Sequence, residues 1–191
     1  NGTIKFVDAT DDLAPFMKGL GMVSDAEWVD VDNDNNLDLV IVGEWMPIKI
    51  IKNTGSEFIE GSQESGLENQ IGWWFSIATA DFDKDGDMDF IVGNLGENYK
   101  YKATMEEPFE IFAKDFDSNG SLDIVLSYHE KGKVFPLRGR ECSSNQMPFI
   151  KEKFTSYHDF GIADMPTVYG KRNLENALHY SANTFATTYI E

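Results

Sequence analysis

Five aspartates fall within nine positions of DFDKDGDMDFIVGN, residues 81–94, and run directly into Phe90, Ile91 and Val92. Carboxylates at this density suit one kind of chemistry, surrounding a hard divalent cation with oxygen. The cluster recurs in DVDNDNNLDLVIVG at 30–43 and in DFDSNGSLDIVLS at 115–127. Aligned on the first aspartate, each copy carries an oxygen-bearing side chain at positions 1, 3 and 5, a turn residue at 6 and aspartate at 9. The candidate ligands are therefore Asp30, Asp32, Asp34 and Asp38 in the first loop, Asp81, Asp83, Asp85 and Asp89 in the second, and Asp115, Asp117, Asn119 and Asp123 in the third.

The spacing has a physical reason. Calcium takes about six to eight oxygens at roughly 2.3–2.6 Å, and a loop curling around one ion presents alternate side chains to it. The curl needs a positive φ near position 6, which Gly86 and Gly120 supply freely and Asn35 tolerates. Position 7 then offers its backbone carbonyl, from Asn36, Asp87 or Ser121. Like charges held this close repel unless a cation neutralises them. An acidic surface turn is the competing reading, since Asp, Asn and Gly are ordinary turn residues; three copies in one register favour the metal. Asn119 replaces a carboxylate, so the third loop is expected to bind more weakly.

The elements that position these loops follow from the residues after them. An EF-hand requires glutamate at position 12 between two helices, whereas position 12 here is Ile41, Val92 or Leu126. The runs LVIV, FIV and IVL are short, apolar and rich in β-branched residues, so the loops belong to hairpins between strands. The echo is longer than the loops: TIKFVDAT at 3–10 parallels GSEFIEGS at 55–62, with Phe6 and Phe58 separated by 52 and Asp30 and Asp81 by 51. A unit of about fifty residues built from short strands is the size of a propeller blade. From Asp81 to Asp115 the interval shortens to 34, so one blade is trimmed.

Residues 138–175 break the pattern. The serines of SSNQMPFIKEKF suit capping, Phe149, Ile150, Lys153 and Phe154 fit one helical face, and ADMPTVYG and NLENAL read as further short helices. HYSANTFATTYIE, from His179, alternates and reads as a strand. The expected organisation is mainly β: about three propeller blades over 1–137, a helical insertion over 138–175, and the first strand of a following blade over 176–191. Both ends fall inside patterned sequence and no initiator methionine opens the chain, so a fragment of a longer protein, an incomplete propeller, is expected. Unclosed sheets leave edges that favour self-association.

The three loops, each leading into an apolar strand, resemble the FG-GAP or VCBS repeats of integrin-alpha-like β-propellers. The stretch NLGENYKYKATMEEPFEIFAKDFDSNGSLDIVLSYHEKGKVFPLRGRE and the later MPFIKEKFTSY resemble the repeat proteins grouped as ASPIC/UnbV. The resemblance implies a calcium-stabilised propeller, exported to a bacterial outer membrane or beyond, serving as a binding module. It carries the metal-ligand roles onto the three loops above, with Asn35 and Asn119 as departures from the pattern.

Composition narrows the partners. A net charge of -17 repels phosphate backbones and anionic lipid heads, so nucleic acid is excluded as a partner. No apolar run reaches the length of a membrane helix, and NGTIKF is not a secretory signal, so direct membrane insertion is not expected. The single cysteine, Cys142, allows no internal disulfide. His129, His158 and His179 sit in no metal or nucleophile motif, and no phosphate loop or nucleophile elbow is present, so no enzyme activity is expected. Trp28, Trp45, Trp73 and Trp74 read either as packing between blades or as a sugar-stacking face. Arg138 and Arg140 with the nearby KGK form a basic patch, read as solvated. The function expected is recognition or adhesion toward a protein or glycan ligand; the alternative is a partial segment of a surface polysaccharide-processing enzyme.

Overall fold

The computed structural model describes residues 3–191. Its strands, in chain order, are β1 (Met22–Val29), β2 (Asp38–Pro47), β3 (Lys49–Asn53), β4 (Phe58–Glu60), β5 (Ile71–Ala80), β6 (Asp89–Asn94), β7 (Phe109–Lys114), β8 (Asp123–Glu130), β9 (Lys133–Pro136), β10 (Leu178–Ala182) and β11 (Thr188–Ile190). Helices are short: α1 (Thr10–Leu13), α2 (Arg140–Gln146), α3 (Phe149–Lys153), α4 (Tyr157–Gly161), α5 (Met165–Tyr169) and α6 (Lys171–Glu175), with 3-10 turns at Pro15–Met17 and Leu67–Asn69. The chain is mainly β, as the sequence leads one to expect. It divides into two compact units, one running to Glu97 and including Phe185–Glu191, the other Asn98–Thr184.

The first unit holds one antiparallel sheet in the order β11-β6-β5-β2-β3-β4, with β1 also beside β2. β2 is its hub. Residues 38–44 lie against β1, 39–41 against β3, and Glu44 with 46–47 against β5, the register shifting at a bulge at Trp45. Trp45 takes φ 59°, a conformation costly for a bulky side chain, and it lets one strand serve two sets of partners. Its ring is almost fully buried, 4.9 Å from that of Trp73. Trp74 is fully buried and donates its indole N–H to the Met46 carbonyl at 3.1 Å. The apolar runs after the loops become the core: Val40, Val42, Ile50, Ile77, Phe90 and Val92 pack together with Trp74. β1 is tied to β5 by side chains as well, since Ser24 donates to the Trp74 carbonyl at 2.9 Å and Asp25 accepts from Ile77 N–H at 3.1 Å.

The second unit pairs its strands in the order β10-β7-β8-β9 and covers one face with α2–α6. Phe112, Phe116 and Val125 from the hairpin share one core with Met147, Ile150, Phe154, Phe160, Met165 and Val168 from the helical stretch. That shared core explains why the compact boundary falls after Glu97 rather than near residue 137: neither the third hairpin nor the helices bury their apolar side alone. The capping serines differ from expectation. Ser143 and Ser144 lie inside α2, where Ser144 bonds back to the Arg140 carbonyl at 2.7 Å. The caps are Ser156, accepting from Asp159 N–H at 3.1 Å, and Asp164, accepting from Thr167 N–H at 2.9 Å.

Two other expectations change. The last stretch is two strands that complete existing sheets, β10 beside β7 and β11 beside β6, instead of one strand opening a new blade. The echo between Phe6 and Phe58 is not structural either: Phe58 begins β4, whereas residues 3–9 form no strand and Phe6 is 92% exposed.

Gly43 supplies a test of the hub. A Cβ there would press into the Met22 carbonyl of the neighbouring β1 and lie 2.6 Å from Met46 Sδ. Gly43→Ala should therefore destabilise the first unit by about 1–3 kcal/mol, read as a lower denaturation midpoint of the tryptophan signal, since all four tryptophans lie in that unit.

Candidate metal centres

Each aspartate loop joins the two strands of a hairpin: 30–38 links β1 to β2, 81–89 links β5 to β6, and 115–123 links β7 to β8. The three share a wrap. The position-9 carboxylate is buried and accepts the N–H of position 2: Val31 to Asp38 at 2.9 Å, Phe82 to Asp89 at 2.8 Å, Phe116 to Asp123 at 2.9 Å. The position-5 side chain accepts the N–H of position 7: Asn36 to Asp34 at 2.7 Å, Asp87 to Asp85 at 3.1 Å, Ser121 to Asn119 at 2.8 Å. Positive φ occurs at position 6, as the turn chemistry requires, in Asn35, Gly86 and Gly120. It also occurs at position 4, in Asn33, Lys84 and Ser118, which composition did not reveal because lysine and serine carry no turn signature of that kind. Two left-handed residues per loop turn alternate side chains toward one centre.

Carboxylate oxygens of Asp30, Asp32 and Asp38 lie within 4.8 Å of one another, as do those of Asp81, Asp83 and Asp85, and those of Asp115, Asp117 and Asp123. The sets are not identical. In loops one and three, positions 1, 3 and 9 converge; Asp34 instead bonds both the backbone and the side-chain amide of Asn36, and these bonds hold its carboxyl below its usual range. In loop two, positions 1, 3 and 5 converge, while Asp89 lies buried with Oδ1 lacking a hydrogen bond. Desolvation, then side-chain hydrogen bonding to Asp89 and the charges of Asp89 and Asp83, push the Tyr189 phenol up to about 12. In loop one the corresponding Asp38 Oδ1 is satisfied by Asn53 N–H at 2.7 Å.

The first position also differs. Asp30 accepts from Asp34 N–H at 3.1 Å and Asn35 N–H at 2.9 Å, and Asp115 from Asn119 N–H at 3.1 Å and Gly120 N–H at 2.9 Å. The Gly120 bond is the main reason the Asp115 carboxyl is lowered. Repulsion shows most plainly in loop two, where the hydrogen bond to Asp85, desolvation and then the charges of Asp85, Asp89 and Asp83 raise Asp87. An all-oxygen, carboxylate-rich donor set of this kind fits a hard cation such as calcium rather than a thiophilic metal. The orphaned Asp89 oxygen is a buried acceptor that such an ion would satisfy.

The other singled-out side chains scatter. Trp45 and Trp74 fill the core, Trp28 is 54% exposed beside Phe58, and the four indoles present no shared open face. Arg140 is occupied: Nε donates to the Phe154 carbonyl at 2.6 Å and Nη1 pairs with Glu141 at 2.9 Å. Sequence reasoning missed one cluster. On the β10-β7-β8 face, Glu110 sits between His179 Nε2 at 2.9 Å and His129 Nε2 at 3.3 Å, with Ser127 Oγ at 3.3 Å. Only the pairing of β7 with both neighbours brings residues so distant in sequence together, and no local motif signals it. Burial pushes the Glu110 carboxyl up, but the hydrogen bond and charge of His179, the charge of His129 and the Ser127 bond outweigh it, so the net shift is downward. A lowered folded-state value stabilises the fold above the ordinary glutamate range, about 4.3, and that contribution disappears as pH falls through the lower folded value. Denaturant unfolding between pH 6 and pH 3 should accordingly show a loss of stability that Glu110→Gln reduces; an unchanged pH slope in the variant would remove Glu110 from the account.

No curated protein matches the chain significantly. A family model does match, and its limits coincide with the geometry above: residues 30–92, from the first aspartate of loop one to the core strand after loop two, match the FG-GAP-like repeat.

Proposed function

We propose that this chain is a calcium-binding segment of an FG-GAP-type β-propeller, acting as a non-enzymatic recognition or adhesion module outside the cell. The observation that carries the reading is the common wrap of the three hairpin loops, each gathering three carboxylates at the end of a core strand. In this reading calcium neutralises carboxylates that otherwise repel, and so fixes the ends of β2, β6 and β8. Asp30, Asp32 and Asp38 would hold the ion in loop one, Asp81, Asp83 and Asp85 in loop two, Asp115, Asp117 and Asp123 in loop three. Asp34, Asn119 and Asp89, with the carbonyls of Asn36, Asp87 and Ser121, are the remaining candidate donors.

Several finer elements belong to the same proposal. The chain would supply about three propeller blades, and the likeness of residues 94–141 and 147–157 to the ASPIC/UnbV repeat proteins supports membership of that group. The ligand is a protein or glycan, and nucleic acid is disfavoured by the net charge of -17. Among the described residues no helix is long and apolar enough to cross a membrane. Strand β1, with Met22, Val23 and Trp28 exposed, and the short edge strand β4 are the surfaces on which strand-edge self-association would occur.

Thermal unfolding tests the central claim. The midpoint should rise with the logarithm of calcium concentration, remain low in chelator, and respond less to magnesium, which demands a tighter octahedral shell. Asp81→Ala combined with Asp83→Ala should remove part of that rise. Identical melting of the double variant and the parent in calcium and in chelator would reduce loop two to an acidic turn.

A further inference from the structure

Loop one differs from the other two in having a lysine at its mouth. Lys52, on β3, places Nζ 3.4 Å from Asp32 Oδ2 and 3.7 Å from Glu64 Oε2. Among the described residues no lysine or arginine pairs with a carboxylate of loops two or three at such range. The stem of Lys52 is aimed by the backbone opposite: a Cβ on Gly61 would stand 3.0 Å from Lys52 Cγ and 3.2 Å from both Cδ and Cε, so the side chain lies flat over a position that has none. Lys52 lines a cavity of about 290 Å³ together with Gly61, Glu64, Ser65 and Asp87 of loop two, which leaves the side chain room to move.

We propose that Lys52 is a tethered competitor for the first metal centre. Without metal its ammonium neutralises Asp32, one of the three converging carboxylates. When a divalent cation enters, Asp32 cannot serve both charges, and Lys52 turns to Glu64. The affinity of loop one is thus set by exchange of one cation for another, and this loop stays closer to its folded shape in chelator than loops two and three. The inference rests on the calcium reading of the loops and adds a residue that tunes one of them. The arithmetic is electrostatic: a unit charge about 5 Å from a divalent ion, in a half-exposed and salt-screened setting, changes affinity about three- to tenfold.

Calcium titration of the whole chain, followed by backbone amide shifts, separates the loops, with Asn35 and Asn36 reporting loop one, Gly86 loop two and Gly120 loop three. Lys52→Met and Lys52→Gln should each tighten the loop-one midpoint about three- to tenfold, leaving the Gly86 and Gly120 midpoints unchanged. Lys52→Arg should keep the parent value, and Glu64→Gln should weaken loop one by removing the second resting place. Calcium-dependent shifts at Asn35 and Asn36 with the same midpoint in parent, Lys52→Met and Lys52→Gln would overturn the role of Lys52 while leaving the metal centre standing. If Asn35 and Asn36 fail to respond to calcium in every variant, the metal reading of loop one falls and the competitor falls with it.

Discussion

A buried carboxylate at the start of a core strand is the constraint on which the rest of this structure depends. Asp38, Asp89 and Asp123 are each at most 2% exposed, and each accepts the N–H of the second loop residue. A carboxylate withdrawn from water is costly unless hydrogen bonds or opposite charge compensate it. The loop must therefore curl back to deliver that donor, and the curl gathers the preceding aspartates at the strand end. Hairpin, turn and acidic cluster are in this sense one object.

The compensation is uneven among the three copies, and the unevenness follows from what surrounds them. Asp38 receives a second donor, Asn53 N–H, because β3 runs beside β2 at that point. Asp89 has no such donor for Oδ1, and the Asp87 carboxyl is raised by its neighbours' charges. Loop one also has Lys52 within reach of Asp32, whereas loop two gathers three exposed carboxylates. Identical sequence spacing thus yields centres with different electrostatic surroundings, and a cation would contribute most where the chain itself supplies least.

In the second unit the same hairpin is embedded differently. Its core face is covered by α2–α6, none longer than seven residues, which could not persist as isolated helices. They are held by Ile150, Met165 and Val168 packing onto Phe112 and Val125 of the sheet. The polar end of that face is closed by Glu110 between two imidazoles, a buried charge given partners by the strands on either side.

The sequence by itself determined what is local. The spacing of Asp30, Asp81 and Asp115 with their followers specified three loops, and the β-branched runs after them specified strands, because both signals lie within about a dozen residues. The helical character of 140–175 was legible from the same kind of pattern, although Ser143 and Ser144 looked like caps and the caps are Ser156 and Asp164. Tertiary structure alone decided the non-local pairings: β11 joining β6, β10 joining β7, Lys52 meeting Asp32, and Glu110 meeting His129 and His179. Those contacts depend on which strand edge is left open and which side chain lies across from it. A strand's composition states that it will pair and which face it buries, but the neighbour is chosen by the packing of the whole unit.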